Sequence, residues 1–199
     1  MLPLHDALEQ LDAIHDHLAK AEVYRGFTVP GVALVGGFGF LAAAIQPAFD
    51  DAASFVLYWM IVAGIAATVG FCAAGQAYFF REDETARRNT RRVLAQFLPS
   101  LAAGALITAA LARGGWDTVG LLPGLWAVAF GLGIVAARPY LPRGIGLVGL
   151  AYICAGGGLL TRTFASPDRI GWSVGLVFGC GHLLTAFVLH RDRPRESHA

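Results

Sequence analysis

Charge is scarce in this chain: 15% of its 199 residues are Asp, Glu, Lys or Arg, against about 25% in an ordinary soluble domain. Apolar residues make up 56% and the mean hydropathy is +0.57, so there are too few charges to coat a globule and more apolar matter than one core absorbs. A soluble enzyme is thereby excluded as the default. The net charge is also slight, +1 from 15 basic and 14 acidic residues, and nothing in the global balance draws the chain to nucleic acid.

Cysteine is equally sparse. Cys72, Cys154 and Cys180 are odd in number, far apart and each inside an apolar run, which excludes a disulfide framework and a CxxC metal or redox motif. They are expected to be small packing residues. A basic N-terminus leading straight into an apolar core is missing too. Asp6, Glu9, Asp12 and Asp16 outnumber Lys20 and Arg25 before the first apolar stretch, the reverse of a secretory signal peptide, so the first membrane segment is expected to remain as an uncleaved anchor. P-loop, dinucleotide, zincin and EF-hand patterns are absent from the sequence, which names no reaction, substrate or cofactor.

What the chain does contain is a series of uncharged apolar runs. A helix needs roughly 20 residues to cross a hydrocarbon layer of about 30 Å, and six runs qualify: 27–45, 53–80, 93–112, 119–137, 144–160 and 171–189, none containing Asp, Glu, Lys or Arg. The expected fold is therefore all-α: a polytopic integral membrane protein with six transmembrane helices over 26–190, preceded by a cytoplasmic amphipathic helix over 1–25 and followed by a cytoplasmic tail over 191–199. The fifth run is short and glycine-rich. Basic residues stay on the cytoplasmic side of short loops. An N-terminus inside places Lys20, Arg25, Arg81, Arg87, Arg88, Arg91, Arg92, Arg138, Arg143, Arg191, Arg193 and Arg195 in the cytoplasm and leaves only Arg113, Arg162 and Arg169 outside. Both termini are then cytoplasmic. Tyr58, Trp59, Trp116 and Trp172 are expected as anchors at the outer boundary.

Two stretches echo one another. Phe130-Gly131-x-Gly133 in the fourth run, preceded by Gly120 and Gly124, matches Phe178-Gly179-x-Gly181 in the sixth, preceded by Gly171 and Gly175. This points to duplication of a hairpin. A fainter echo, Pro30-Gly31 with Pro123-Gly124, points instead to an inverted repeat of three helices.

Three constellations could carry function. In the N-terminal segment Leu4, Leu8, Leu11, His15 and Leu18 recur at spacings of 4 and 3, the stripe of an amphipathic helix. Its acidic balance repels an anionic leaflet, so the stripe is expected to bind a protein partner, to self-associate, or to fold back on the chain's own loops. The opposite stripe, His5, Glu9, Asp12 and Asp16, has permissive metal-ligand spacing and no second element to close a shell. The second constellation is basic: Arg81, Arg87, Arg88, Arg91 and Arg92, a possible contact for anionic lipid or a partner, or charge that only sets topology. Glu84 lies four residues before Arg88, a favourable helical pair.

The third is His182, the one ionisable side chain, thiols and phenols aside, in the middle of an apolar run. Such residues are functional-site candidates by default. Gly171, Gly175 and Gly179 form a small-xxx-small ridge that admits another helix closely, and His182 extends it. The imidazole is expected in a helix–helix contact, bonded to a carbonyl or to Thr108, Gln76 or Gln96. A cofactor-binding role such as haem ligation is the functional alternative, and bis-histidine ligation then requires a homodimer. Gly171-Trp172-Ser173-Val174-Gly175 matches the G-x-S-x-G pattern, but a nucleophile elbow is a strand-to-helix turn. His182 also lies about 13 Å along the helix from Ser173.

These features lead to three expectations: a non-catalytic scaffold, sensor or regulatory subunit; an oligomeric transporter or channel for a small neutral solute; and a membrane redox or haem-binding protein using His182.

Overall fold

The computed structural model describes residues 28–80, 84–142, 144–162 and 166–192, and the N-terminal stripe, the acidic stripe, Arg81, Arg143 and the end of the tail lie outside them. The described residues are helical, with no strand among them. The helices are α1 (Val29–Ile45), α2 (Ala52–Phe80), α3 (Glu84–Leu111), α4 (Leu122–Ala137), α5 (Ile145–Leu160) and α6 (Pro167–Arg191). A one-turn helix at Trp116–Val119 leads into α4, and a 3-10 turn at Arg138–Tyr140 ends it.

Helix starts follow local chemistry. Thr28 Oγ1 accepts from Gly31 N–H at 3.3 Å to cap α1. Asp51 caps α2, its Oδ1 accepting from Ser54 N–H at 2.8 Å and its Oδ2 from the Ser54 hydroxyl at 2.9 Å. Those bonds hold the Asp51 carboxyl below its ordinary range. Pro167 opens α6, with Asp168 in the first turn and His190 and Arg191 in the last, each sign matching its end of the helix dipole. The arginine-rich segment from Glu84 to Arg92 forms the first turns of α3, since no residue there breaks a helix.

Four stretches are long and apolar enough to cross a membrane: Ala52–Cys72, Arg87–Leu111, Trp116–Tyr140 and Pro167–Arg191. The exterior is apolar as a bilayer-embedded bundle requires, with Leu34, Leu106 and Leu147 each more than 70% exposed. α1 and α5, with 17 and 16 residues, reach about 25 Å at 1.5 Å per residue. α1 is paired along its length with the 25-residue α6, and α5 with α4, which also has 16 residues.

Successive helices alternate in direction, and their order around the bundle is α2, α1, α6, α5, α4, α3. Two antiparallel pairs dominate, α1 with α6 and α4 with α5, and each is a glycine seam. A Cβ added at Gly131 would lie 2.6 Å from the Gly149 carbonyl oxygen, and one at Gly156 would lie 2.6 Å from the Gly124 carbonyl oxygen. In the other seam a Cβ at Gly36 would lie 3.0 Å from the Gly179 carbonyl oxygen, and one at Gly175 would lie 2.9 Å from that of Gly39. Backbones meet directly, the packing that small residues permit between membrane helices.

The echo between the fourth and sixth runs has a packing cause. In each, the first glycine of Phe-Gly-x-Gly faces a helix outside its own hairpin: Gly131 meets α5, and Gly179 meets the Phe40 ring of α1. The second glycine receives an aromatic ring from the preceding helix, Phe97 of α3 over Gly133 and Tyr152 of α5 over Gly181. The hairpins α3–α4 and α5–α6 thus share the placing of an aromatic ring over the second glycine.

Cysteine and one tryptophan sit otherwise than their residue types suggest. Cys72, Cys154 and Cys180 are all exposed on the bundle exterior rather than packed inside; a thiol facing acyl chains carries no desolvation cost that would drive it inward. Trp59 is not a boundary anchor but 3% exposed, part of a core with Phe55, Val119, Leu122, Ile170 and Val174. Phe49, Tyr58 and Trp116 pack around that core. Tyr58 donates to the Ala42 carbonyl at 2.6 Å, joining α2 to α1.

Candidate functional site

His182 lies where α1, α4, α5 and α6 converge. Its Cβ is 3.2 Å from the position a Cβ would take at Gly36, so it does continue the glycine ridge into the α1 contact. Around the imidazole stand Phe130 at 5.5 Å between ring centroids and Tyr152 at 6.4 Å. Phe130 is the hub, with Phe97, Tyr152 and Phe178 at 5.2, 5.0 and 5.5 Å, all inclined as quadrupolar rings prefer.

Hydrogen-bond geometry fixes the tautomer. His182 Nδ1 is 2.8 Å from the Phe178 carbonyl oxygen, which can only accept, so Nδ1 carries the proton and donates. Tyr152 Oη lies 3.1 Å from the same nitrogen and donates its own proton to Phe178 at 3.3 Å. One carbonyl therefore gathers two side-chain donors from two helices. With the proton on Nδ1, Nε2 keeps its lone pair and makes no hydrogen bond with the described residues.

The partner of His182 is thus the Phe178 carbonyl of its own helix, an acceptor it shares with Tyr152, and not Thr108 or Gln96. Thr108 is engaged elsewhere, accepting from Trp126 Nε1 at 2.7 Å and donating to the Gly104 carbonyl at 2.7 Å. Gln96 is exposed, and the side chain of Gln76 is outside the described set. Tyr152 escaped sequence reasoning because phenols were set aside as non-ionising, although it is the one tyrosine in the middle of an apolar run. Its approach depends on Gly181, where a Cβ would fall on the phenol ring.

Gly171 of the predicted ridge makes room for Gln46, whose Nε2 donates to the Asp168 carbonyl at 3.4 Å. Among the described residues no group of three or more His, Cys, Asp or Glu could hold a metal ion. Of the basic constellation, Arg87, Arg88 and Arg91 are exposed on the first turns of α3. Arg92 lies with its guanidinium carbon 5.9 Å from the centre of the Tyr140 ring, a cation–π distance. That contact brings in Arg138 and Tyr140, which sequence spacing did not connect to the α3 arginines.

No family model, curated protein or solved structure matches this chain.

Proposed function

We propose that this protein is a six-span membrane scaffold or regulatory subunit with both termini in the cytoplasm, whose N-terminal amphipathic segment engages a protein partner. The observation that carries this reading is the state of His182. The one titratable nitrogen base in the middle of the bundle has its N–H committed to its own helix backbone, against a second-helix hydroxyl and a closed set of aromatic rings, as a structural histidine would be. Two seams of backbone against backbone favour a fixed frame over one that rocks, which weighs against the alternative of an oligomeric transporter for a small neutral solute. The six-span topology is supported by the alternating helix directions and by the arginines, which gather where α3 begins and α4 and α6 end.

Deleting residues 1–25 tests the reading. The truncated chain inserts normally and loses a specific cross-linked partner that the full chain retains in native membranes. A truncated chain that keeps every partner overturns it, and reporter tags at the two termini that label from the outside overturn the topology.

A second reading has its own observation. An Nδ1–H bonded to a carbonyl, with Nε2 left as a lone pair, is the arrangement typical of metal- or haem-ligating histidines. The absorption spectrum of the purified protein decides: a Soret band lost in His182→Ala supports haem ligation, and a colourless protein removes it.

A further inference from the structure

The first turns of α3 and the turn that ends α4 pack together at one end of the bundle, and each carries arginines, although the two are far apart in sequence. Val93 and Ala137 are 4% and 1% exposed, and they pack together with Tyr140 and Leu141 beside them, which clamps the two elements. Arg92 lies over the Tyr140 ring. One turn before it on α3 is Arg88, with Arg91 adjacent, both exposed. In the turn that ends α4, Arg138 is exposed and runs its stem along the open side of Gly146 at the start of α5. Arg88, Arg91 and Arg138 make no ion pair with the described residues, and the acidic residue described on this surface is Glu84.

Both elements are the ends of helices long and apolar enough to cross a membrane, Arg87–Leu111 and Trp116–Tyr140. The guanidinium groups therefore stand at headgroup depth. Guanidinium forks match phosphate oxygens bidentately, and a tyrosine ring at the same level gives the acyl–headgroup boundary its usual amphipathic contact. We propose that Arg88, Arg91 and Arg138, with Arg92 fixed over Tyr140, form a binding surface for the phosphate of an anionic phospholipid. Its occupant is a lipid of the surrounding bilayer, held between two helices rather than attracted to one loop. The proposal needs the helices to lie in a bilayer but not the assignment of this end to the cytoplasm, nor the partner-binding role of residues 1–25.

The test uses the full chain in nanodiscs of phosphatidylcholine alone or mixed with phosphatidylglycerol, reading thermal unfolding, and native mass spectrometry to count retained lipids. The wild type unfolds at higher temperature in the mixed lipid and retains phosphatidylglycerol selectively. R88Q/R91Q/R138Q loses that selectivity by roughly fivefold per arginine, the ratio expected for one basic residue at an anionic surface. The same protein in pure phosphatidylcholine unfolds as the wild type does, and the single variant R138Q, altered at an exposed side chain, shows a smaller loss of the same kind. R113Q/R162Q/R169Q, changed at the opposite end, keeps the full selectivity. Equal behaviour in the two lipids, or full selectivity in R88Q/R91Q/R138Q, overturns the proposal. Stabilisation in pure phosphatidylcholine by added inorganic phosphate alone also overturns it, because the ligand would then be a soluble anion. Loss of a protein partner on deleting 1–25 leaves this result unchanged, so the two readings fail separately.

Discussion

The α4–α5 seam and the middle of α2 are built from similar residues and packed in opposite ways. Gly124, Gly131, Gly149 and Gly156 each face a backbone carbonyl of the neighbouring helix, while Gly64, Gly70 and Gly75 of α2 have nothing within 4 Å of where a Cβ would sit. Ile61, Ile65, Val69 and Phe71 on the same stretch of α2 are exposed. In lipid no hydrophobic force pulls an apolar helix inward, so α2 rests on acyl chains without cost. What separates the regions is not composition but whether small residues recur in register on two facing helices.

The largest effect should come from filling the seam. Gly131→Leu pushes against the Gly149 carbonyl and is expected to cost on the order of 3 kcal/mol, seen as lost monodispersity or a strongly lowered unfolding temperature in detergent. Gly64→Leu should stay within about 0.5 kcal/mol of wild type. Equal damage from both would break the comparison, by showing that the exposed half of α2 has a hidden partner.

Next in size is Gly181→Ala, which drives the Tyr152 ring off α6 and is expected to cost roughly 1–3 kcal/mol. Tyr152→Phe keeps the ring and removes the hydroxyl, so the loss should be smaller, about 0.6 kcal/mol, the mean for side-chain hydrogen bonds between membrane helices. If the two variants were equally harmful, the bond to Phe178 rather than ring packing would be holding α5 to α6. Either outcome is read from thermal unfolding of the purified variants.

The smallest effect belongs to the exposed start of α2. Because hydrogen bonds from Ser54 lower the Asp51 pKa from its ordinary 3.8, the cap contributes stability above that value and loses it as pH falls through the lowered one. Asp51→Asn should therefore flatten the acid limb of a stability–pH curve while leaving the seams untouched. An unchanged acid limb would show that α2 needs no cap where its aromatic residues already pin it.

Much of the fold was legible because charge and apolarity are properties of single residues. The runs 53–80 and 144–160 match α2 and α5 within a residue, since Asp50 and Asp51, Arg81 and Arg143 bound them. His182 was legible as the odd residue of its helix, and the ridge of Gly171, Gly175 and Gly179 as a surface for another helix. Tyr152, Phe130 and Arg138 were not, because their roles depend on which helix lies opposite, and spacing along one chain carries no such information.

By itself, then, the sequence determined that the chain forms apolar helices with the charges held at their ends, because a bilayer leaves an unpaired backbone or a bare charge nowhere else to go. Only the tertiary structure decided the order of the helices around the bundle. It joined α1 to α6 and α4 to α5 where glycines meet in register. It also set a lone histidine beside a tyrosine 30 residues away, the two donating to one carbonyl. The physical reason is that lipid rewards every apolar helix face alike, so contact geometry alone chooses the partner.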